Sequence, residues 1–252
     1  MGFHSRTALI AAVGAGVLAL ALAGCGSSDP ANAPVEHKSF AFAGKALTIE
    51  GGSSTVVVRP ADVKDVEVAR QVDGWVAFGS GPDADWRLEQ GTLRLTVKCS
   101  GVLKNCGARH EVSVPRGVAV TVRNDDGRVE ASGFDTPLKI GSDNGRVSVK
   151  DSAGPLDLTS RNGRIEGEGL RAKTVRAASD NGRVSLAFAV VPDSVEATSD
   201  DGRVDLAVPK DAYKVTAGAD GGRVDVTVAR SDSSTHVLTA RSDNGRVTVR
   251  NG

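Results

Sequence analysis

The sequence is poor in the residues that carry out chemistry. Its 252 residues include four histidines, three cysteines, one tyrosine, one methionine and two tryptophans. His37, His110 and His236 lie far apart, and no nucleophile motif accompanies them, so nothing points to acid–base or nucleophilic catalysis. Cys99 and Cys106, with only His110 nearby, fall short of the four ligands of a structural zinc site. The acidic turns lack the glycine-rich nonapeptide of calcium-binding β-rolls, so no metal and no cofactor is expected. An excess of either charge is missing too. The chain has 31 basic and 31 acidic residues, and without residues 1–24, which hold only Arg6, the balance is 30 against 31. General nucleic-acid binding leaves a basic excess, and this chain has none.

What the sequence does have is a repeat. Ser242-Asp243-Asn244-Gly245-Arg246-Val247 is the last of seven near-copies, which begin at Asn124, Ser142, Ser160, Ser179, Ser199, Ala219 and Ser242. Their glycines fall at 127, 145, 163, 182, 202, 222 and 245, spaced by 18, 18, 19, 20, 20 and 23 residues. A period in this range signals a stacked architecture. Asn-Gly and Asp-Gly pairs tolerate positive φ, so each copy is expected to close a tight turn in that conformation. After each glycine the pattern alternates, as in Val147 and Val149 against Arg146, Ser148 and Lys150, which is a half-buried strand.

A second strand precedes each turn. Seven and five residues before the glycine stand Val120 and Val122, Leu138 and Ile140, Leu156 and Leu158, Val175 and Ala177, Val195 and Ala197, Val215 and Ala217, and Leu238 and Ala240. A slip of one residue would turn every pair outward, so the shared register predicts equivalent geometry in each copy. The shrinkage to alanine implies a narrower interior, or filling by Phe188, Val190 and Tyr213. Two architectures fit: an antiparallel meander, or a parallel β-solenoid (β-helix) of 18–23-residue coils, each lying on the last. A meander would need about fourteen strands, and open sheets rarely exceed ~10 without curling. The solenoid, rising about 4.8 Å per coil, is the favoured all-β reading.

The N-terminal segment reads as export. Residues 7–24 are uncharged and rich in Ala, Leu, Val and Gly, and follow a short start holding Arg6. The closing Leu22-Ala23-Gly24-Cys25 resembles the bacterial lipoprotein lipobox. That resemblance implies cleavage after Gly24 and thioether lipidation of Cys25, whose two acyl chains suffice for stable anchoring. The domains expected are a signal peptide over 1–24, a lipidated cysteine and flexible tether over 25–38, and a β-solenoid over 39–252. The early strands around 46–50, 55–59, 63–69, 91–98 and 110–114 lack the Asn-Gly-Arg signature and are read as an irregular N-terminal cap. The stretch from Val72 to Trp86 reads as an irregular loop. Its Trp75 and Trp86 either cover the stack end or form a recognition surface. On an exported domain, Cys99 and Cys106 are expected to pair and to pin residues 100–105 as a hairpin or bulge.

In a solenoid, Arg128, Arg146, Arg164, Arg183, Arg203, Arg223 and Arg246 form a column on the outer face. The residues two before each glycine are Asp125, Asp143, Arg161, Asp180, Asp200, Asp220 and Asp243. They are expected to offset that column as an ion-pair lattice. The alternative is a binding strip for acidic polymers or a partner. Arg161 interrupts the acidic series, so Arg161 with Arg164 is the candidate contact.

The run Val114-Pro115-Arg116-Gly117-Val118-Ala119-Val120, followed by repeated Ser-Asp-Asn-Gly-Arg-Val, resembles the bacterial putative-adhesin family of unknown function over about residues 45–250. The resemblance implies a secreted or membrane-linked β-helical protein. Many members carry Gly-Asp-(Ile/Val) where this chain has Gly-Arg-Val, and no binding residue carries over. The function expected is that of a non-catalytic, lipid-anchored protein on the extracytoplasmic face of the cell membrane. Its repetitive surface would serve adhesion or bind cell-wall polymer or other envelope components. The alternative is an envelope-stress sensor or accessory module bound to a membrane protein partner.

Overall fold

The computed structural model describes residues 29–252. Cys25 and the export segment therefore lie outside the described residues. Within them there is no α-helix, only a 3-10 turn at Pro30–Asn32, and no helix is long and apolar enough to cross a membrane. In chain order the strands are β1 (Val35–Phe40), β2 (Ala46–Gly52), β3 (Thr55–Ala61), β4 (Val66–Glu89), β5 (Thr92–Pro115), β6 (Ala119–Asn124), β7 (Val129–Ser132), β8 (Leu138–Ser142), β9 (Val147–Lys150) and β10 (Leu156–Ser160). They continue with β11 (Ile165–Leu170), β12 (Thr174–Ser179), β13 (Val184–Phe188), β14 (Ser194–Ser199), β15 (Val204–Val208), β16 (Ala212–Ala219), β17 (Arg223–Val226), β18 (Ala229–Arg230), β19 (Val237–Ser242) and β20 (Arg246–Asn251).

Each repeat supplies one strand to each of two parallel walls. The first wall runs β5–β2–β6–β8–β10–β12–β14–β19–β16. The second runs β5–β3–β7–β9–β11–β13–β15–β20–β17. Strand β5 belongs to both and joins them into one sheet. This is the parallel solenoid, and the meander is excluded. The apolar pairs sit in register as their spacing requires: Val120 on Leu138, Leu138 on Leu156, Leu156 on Val175. They meet Val129, Val147, Ile165 and Val184 of the second wall in a single buried core. Where the first wall shrinks to Ala177, Ala197 and Ala240, the core also holds Phe188 and a fully buried Tyr213. Val190 is only half-buried and lies outside that core.

The order of rungs departs from the sequence at both ends. The seventh repeat does not lie on the sixth. Strands β19 and β20 are inserted between the fifth repeat and the sixth, leaving β16 and β17 outermost. At the other end β2 and β3 are tucked between β5 and β6–β7. The repeats share one register, so the seventh can pair with the fifth on one side and the sixth on the other.

The turn glycines work differently from the positive-φ expectation. Positive φ occurs elsewhere, for example at Gly52, Gly117 and Gly133, and at none of the seven turn glycines. What these positions require is space. A Cβ on Gly145 would lie 1.9 Å from the carbonyl oxygen of Gly127, and one on Gly182 1.7 Å from that of Gly163. The same holds for Gly245 over Gly202 and for Gly222 over Gly245, each at 1.6 Å. The repeated serine completes the turn. Ser179 Oγ accepts from its own Gly182 N–H at 2.9 Å and donates to the Gly163 carbonyl one rung below at 3.1 Å.

Two further expectations are corrected. The flexible tether does not extend to residue 38, since β1 pairs antiparallel with β4 from Val35↔Gln71 to Phe40↔Val66. The strand shows no apolar period because it is held by backbone hydrogen bonds and only its last side chain, Phe40, is partly buried. Val72 to Trp86 is not an irregular loop but part of β4, which pairs with β5 along almost its whole length in a bent two-stranded ribbon.

Stacking makes a direct prediction. Gly182→Ala should destabilise the protein by roughly 1–3 kcal/mol, the usual range for overpacking. Gly218→Ala, where an added Cβ meets nothing within 4 Å, should stay within about 0.5 kcal/mol of wild type. Denaturant unfolding of the two variants checks this, and equal effects would overturn the stacking account.

Candidate functional site

The edge made by the Asn-Gly turns carries a side-chain ladder. Asn144 Nδ2 donates to Asp126 Oδ1 at 2.6 Å, Asn162 to Asn144 at 2.7 Å, and Asn181 to Asn162 at 2.7 Å. A second run starts where Asn244 donates to Asp201 at 2.7 Å. An amide both donates and accepts, so it passes the chain on, whereas a carboxylate only accepts and ends it. The repeated Asn was legible in the sequence as a turn residue. Its ladder role becomes visible only once the rungs are stacked.

The outer face of the second wall holds the arginine column. Its acidic partners are not the expected aspartates before the glycine but the residues two after the arginine, on the same face of the strand. Arg128 pairs with Glu130 at 3.3 Å and Arg164 with Glu166 at 3.3 Å. Rungs carrying serine at that place borrow from the next rung: Arg146 reaches Glu166 and Arg183 reaches Asp205, each at 3.9 Å. The pairing lapses at the far end. Asp205 and Asp225 stand two residues after Arg203 and Arg223, and Thr248 two after Arg246, yet none of the three arginines makes an ion pair within 4.0 Å among the described residues. These three stand on adjacent rungs, with Arg246 directly beside Arg223 in register and next to Arg203. All three are exposed. At rung spacing, neighbouring unit charges repel by about 0.9 kcal/mol in water. An anion bridging them would remove that cost.

The residues singled out from sequence are placed as follows. Arg161 pairs with Asp143 of the rung below at 3.5 Å and lines a depression of about 390 Å³ with Gly141, Thr159 and Ala178. Arg164 has its own partner on the second wall, so each arginine of that candidate pair is already matched by a carboxylate. Trp86 belongs to a cap cluster: it packs edge-on against Phe40, and the Arg70 guanidinium lies over its ring at 4.0 Å. Arg70 in turn pairs with Glu36. Trp75 is exposed on the ribbon. Cys99 and Cys106 form a disulfide, which bridges a loop of β5 rather than the arms of a local hairpin.

Among the described residues no group of three or more His, Cys, Asp or Glu side chains could hold a metal ion. The family profile described as Toastrack DUF4097 matches residues 118–251, more than half of the chain. The chain belongs to the Toastrack DUF4097 family. The matched region spans β6 to β20, and the β4–β5 ribbon falls outside it. No curated protein is a significant match to the chain. The solved structures that resemble it include three from bacteria. A "putative adhesin" from Bacteroides fragilis NCTC 9343 is 15% identical, with a TM-score of 0.46, covering 88% of this chain and 99% of that one. A "putative adhesin" from Parabacteroides distasonis ATCC 8503 is 12% identical, with a TM-score of 0.48, covering 86% and 98%. A "putative cell adhesion protein" from Clostridium sporogenes ATCC 15579 is 10% identical, with a TM-score of 0.36, covering 87% and 99%.

Beside the cap, His110 is fully buried and its Nδ1 lies 3.1 Å from Ser54 Oγ. That hydroxyl already donates to the Gly51 carbonyl at 2.6 Å, so it accepts from an Nδ1–H. His110 Nε2 is then a buried nitrogen with no partner among the described residues. Burial, and secondarily the Arg70 charge, push the His110 pKa down to about 4. A depressed basic group is protonated first in the unfolded chain, so stability is lost as pH falls from about 6.5 towards 4. The loss from this group should reach roughly 3 kcal/mol. Denaturant unfolding of wild type and His110→Gln from pH 7 to 4 checks this. The variant should lack that component, and parallel pH profiles would refute it.

Proposed function

We propose that this protein is a non-catalytic, lipid-anchored component of the cell envelope whose solenoid presents a cationic strip to anionic envelope polymers. The observation that carries the reading is the run of three adjacent rungs whose arginines, Arg203, Arg246 and Arg223, make no ion pair within 4.0 Å among the described residues, although Asp205 and Asp225 stand two residues after two of them. Guanidinium groups repeated at rung spacing suit a polymer with regularly spaced phosphates or carboxylates. Lipid attachment at Cys25 would hold the protein at the extracytoplasmic face of the membrane. The Arg161–Arg164 pair is a weaker candidate, because both arginines are matched by carboxylates.

A second reading, an accessory module for an envelope protein, is favoured by the open end of the stack. Among the described residues strand β17 pairs with β20 alone, and Val224 on this rung is 40% exposed. A free strand edge of this kind can accept a strand from a partner.

Binding of the protein to long-chain polyphosphate, used as a defined anionic polymer, separates the readings. Replacing Arg203, Arg246 and Arg223 together by Gln should weaken binding by roughly tenfold or more, at ~0.5–1 kcal/mol per exposed charge contact. Wild-type binding should fall with salt. Replacing the paired Arg128, Arg146 and Arg164 should change it little. Equal losses in the two triple variants would overturn the strip. Anchoring has its own check: Cys25→Ser should leave unprocessed precursor without metabolic acyl label, and labelled protein would refute lipidation at this residue.

A further inference from the structure

The ribbon carries a feature that neither the rungs nor the cap uses. Cys99 and Cys106 are seven residues apart, yet their Cα atoms lie 6.6 Å from each other. An extended strand of that length would span about 23 Å. Strand β5 therefore loops outward between them, and β4 follows outside it, paired at Val76↔Lys104, Ala77↔Leu103 and Gly79↔Gly101. The result is a disulfide-necked lobe at the end of the stack. Trp75, Phe78, Val102 and Leu103 on it are 39%, 86%, 80% and 54% exposed. Between Gly74 and Pro82, and between Cys99 and Asn105, the sole charged side chain is Lys104. The outer faces of the walls are different, for they carry ion pairs such as Lys139–Asp157 and Arg176–Glu196. Grouped exposed apolar side chains of this size mark a contact surface.

The position of the N-terminal segment decides which contact. Asp29 N–H donates to Asp73 Oδ2 at 2.8 Å, two residues before Trp75. The Gln71 amide holds the carbonyls of Ala31 and Ala33 at 2.9 and 3.0 Å. Asp29 follows Cys25 by four residue steps, a length of chain that reaches at most about 14 Å. Along β4, Phe78 lies five residues, or roughly 17 Å, beyond Asp73. A lipid attached at Cys25 would therefore enter the bilayer beside the lobe. An apolar tip, a tryptophan and a lysine with a long aliphatic stem are the elements that settle into a membrane interface.

We propose that the β4–β5 lobe docks into the phospholipid bilayer next to the anchor. Phe78, Val102 and Leu103 enter the acyl region, Trp75 sits at headgroup level, and Lys104 meets anionic phosphates. The proposal rests on lipidation of Cys25. It gives the protein two points of membrane contact and hence a fixed orientation. The arginine strip then lies towards the far end of the stack, six to eight rung steps or about 29–38 Å from β5.

The test uses the processed, acylated full chain carrying Trp86→Phe, which leaves Trp75 as the sole tryptophan. The protein is reconstituted into vesicles of phosphatidylglycerol and phosphatidylethanolamine containing lipids with a nitroxide on the acyl chain. Flotation with the vesicles, quenching of Trp75 by the nitroxide and a blue-shifted emission are expected. Phe78→Ser, Val102→Ser and Leu103→Ser together should still float but lose the quenching and the shift. Flotation with Trp75 unquenched in the otherwise unaltered lobe overturns the docking while leaving the anchor intact. Trp75 shielded from aqueous iodide yet untouched by the nitroxide points to a protein occupant and likewise overturns it. Failure to float overturns the anchor and the docking with it.

Discussion

The contact on which the structure depends is the close approach of one turn glycine to the carbonyl of the next, at a separation that leaves no room for a Cβ. It sets the edge where the two walls meet, and everything on that edge follows from it. With the backbones this close, a serine can bond both to its own turn and to the rung below, as Ser179 does. Asparagine amides come within reach of each other, and the Asn144–Asn162–Asn181 run forms. The core contributes the larger share of stability through apolar burial. The glycine edge contributes uniqueness, because it admits one residue type at one place in each repeat.

Identical registers have a consequence that strict sequence order hides. The seventh repeat pairs with the fifth as well as the sixth, so the stack need not follow the chain. Inserting residues 237–251 between the fifth and sixth repeats gives that segment two neighbours in each wall instead of one. The sixth repeat, which is then outermost, departs from the pattern at two of the turn positions. It has Ala219 in place of serine and Gly221 in place of Asn or Asp. With no further rung beyond it, the glycine column and the amide ladder have nothing more to hold.

Much of the architecture was legible in the residues. The spacing of the glycines and the paired apolar positions led to two parallel walls with the observed register. The disulfide followed from the expectation that the domain is exported. The turn conformation did not, because Asn-Gly suits both a positive-φ turn and a close backbone approach, and only stacking distinguishes them. The order of the end rungs was hidden for the reason that made the repeats visible, since equivalent units carry no label of position. The ribbon was misread as a loop because its outer strand is exposed over most of its length, and an exposed strand has no apolar alternation. The arginine partners were missed because sequence proximity favoured Asp143 or Asp180 across the turn. The side-chain alternation of a strand instead directs Arg164 towards Glu166.

The two ends of the stack solve one problem in the same way. In a simple solenoid the terminal coil is also the terminus of the chain, has one neighbour and frays first. Here the outermost rungs, β5 at one end and β16–β17 at the other, are covalently continued in both directions. From β16–β17 the chain returns to the rung one step inside, and from β5 it passes to β6, two steps inside, across the rung of β2 and β3. For an outer rung to detach as part of the chain end, the inserted neighbour must leave as well, which breaks pairing on both of its sides. The cost is a connection across one rung, and loop-closure entropy grows only slowly with length. At the β5 end the ribbon and β1 add antiparallel cover, and at the β17 end the edge stays open. The molecule is thus locked at both ends but closed at only one. Its two unassigned surfaces, the apolar lobe and the unpaired arginines with their free edge, are separated by the length of the stack.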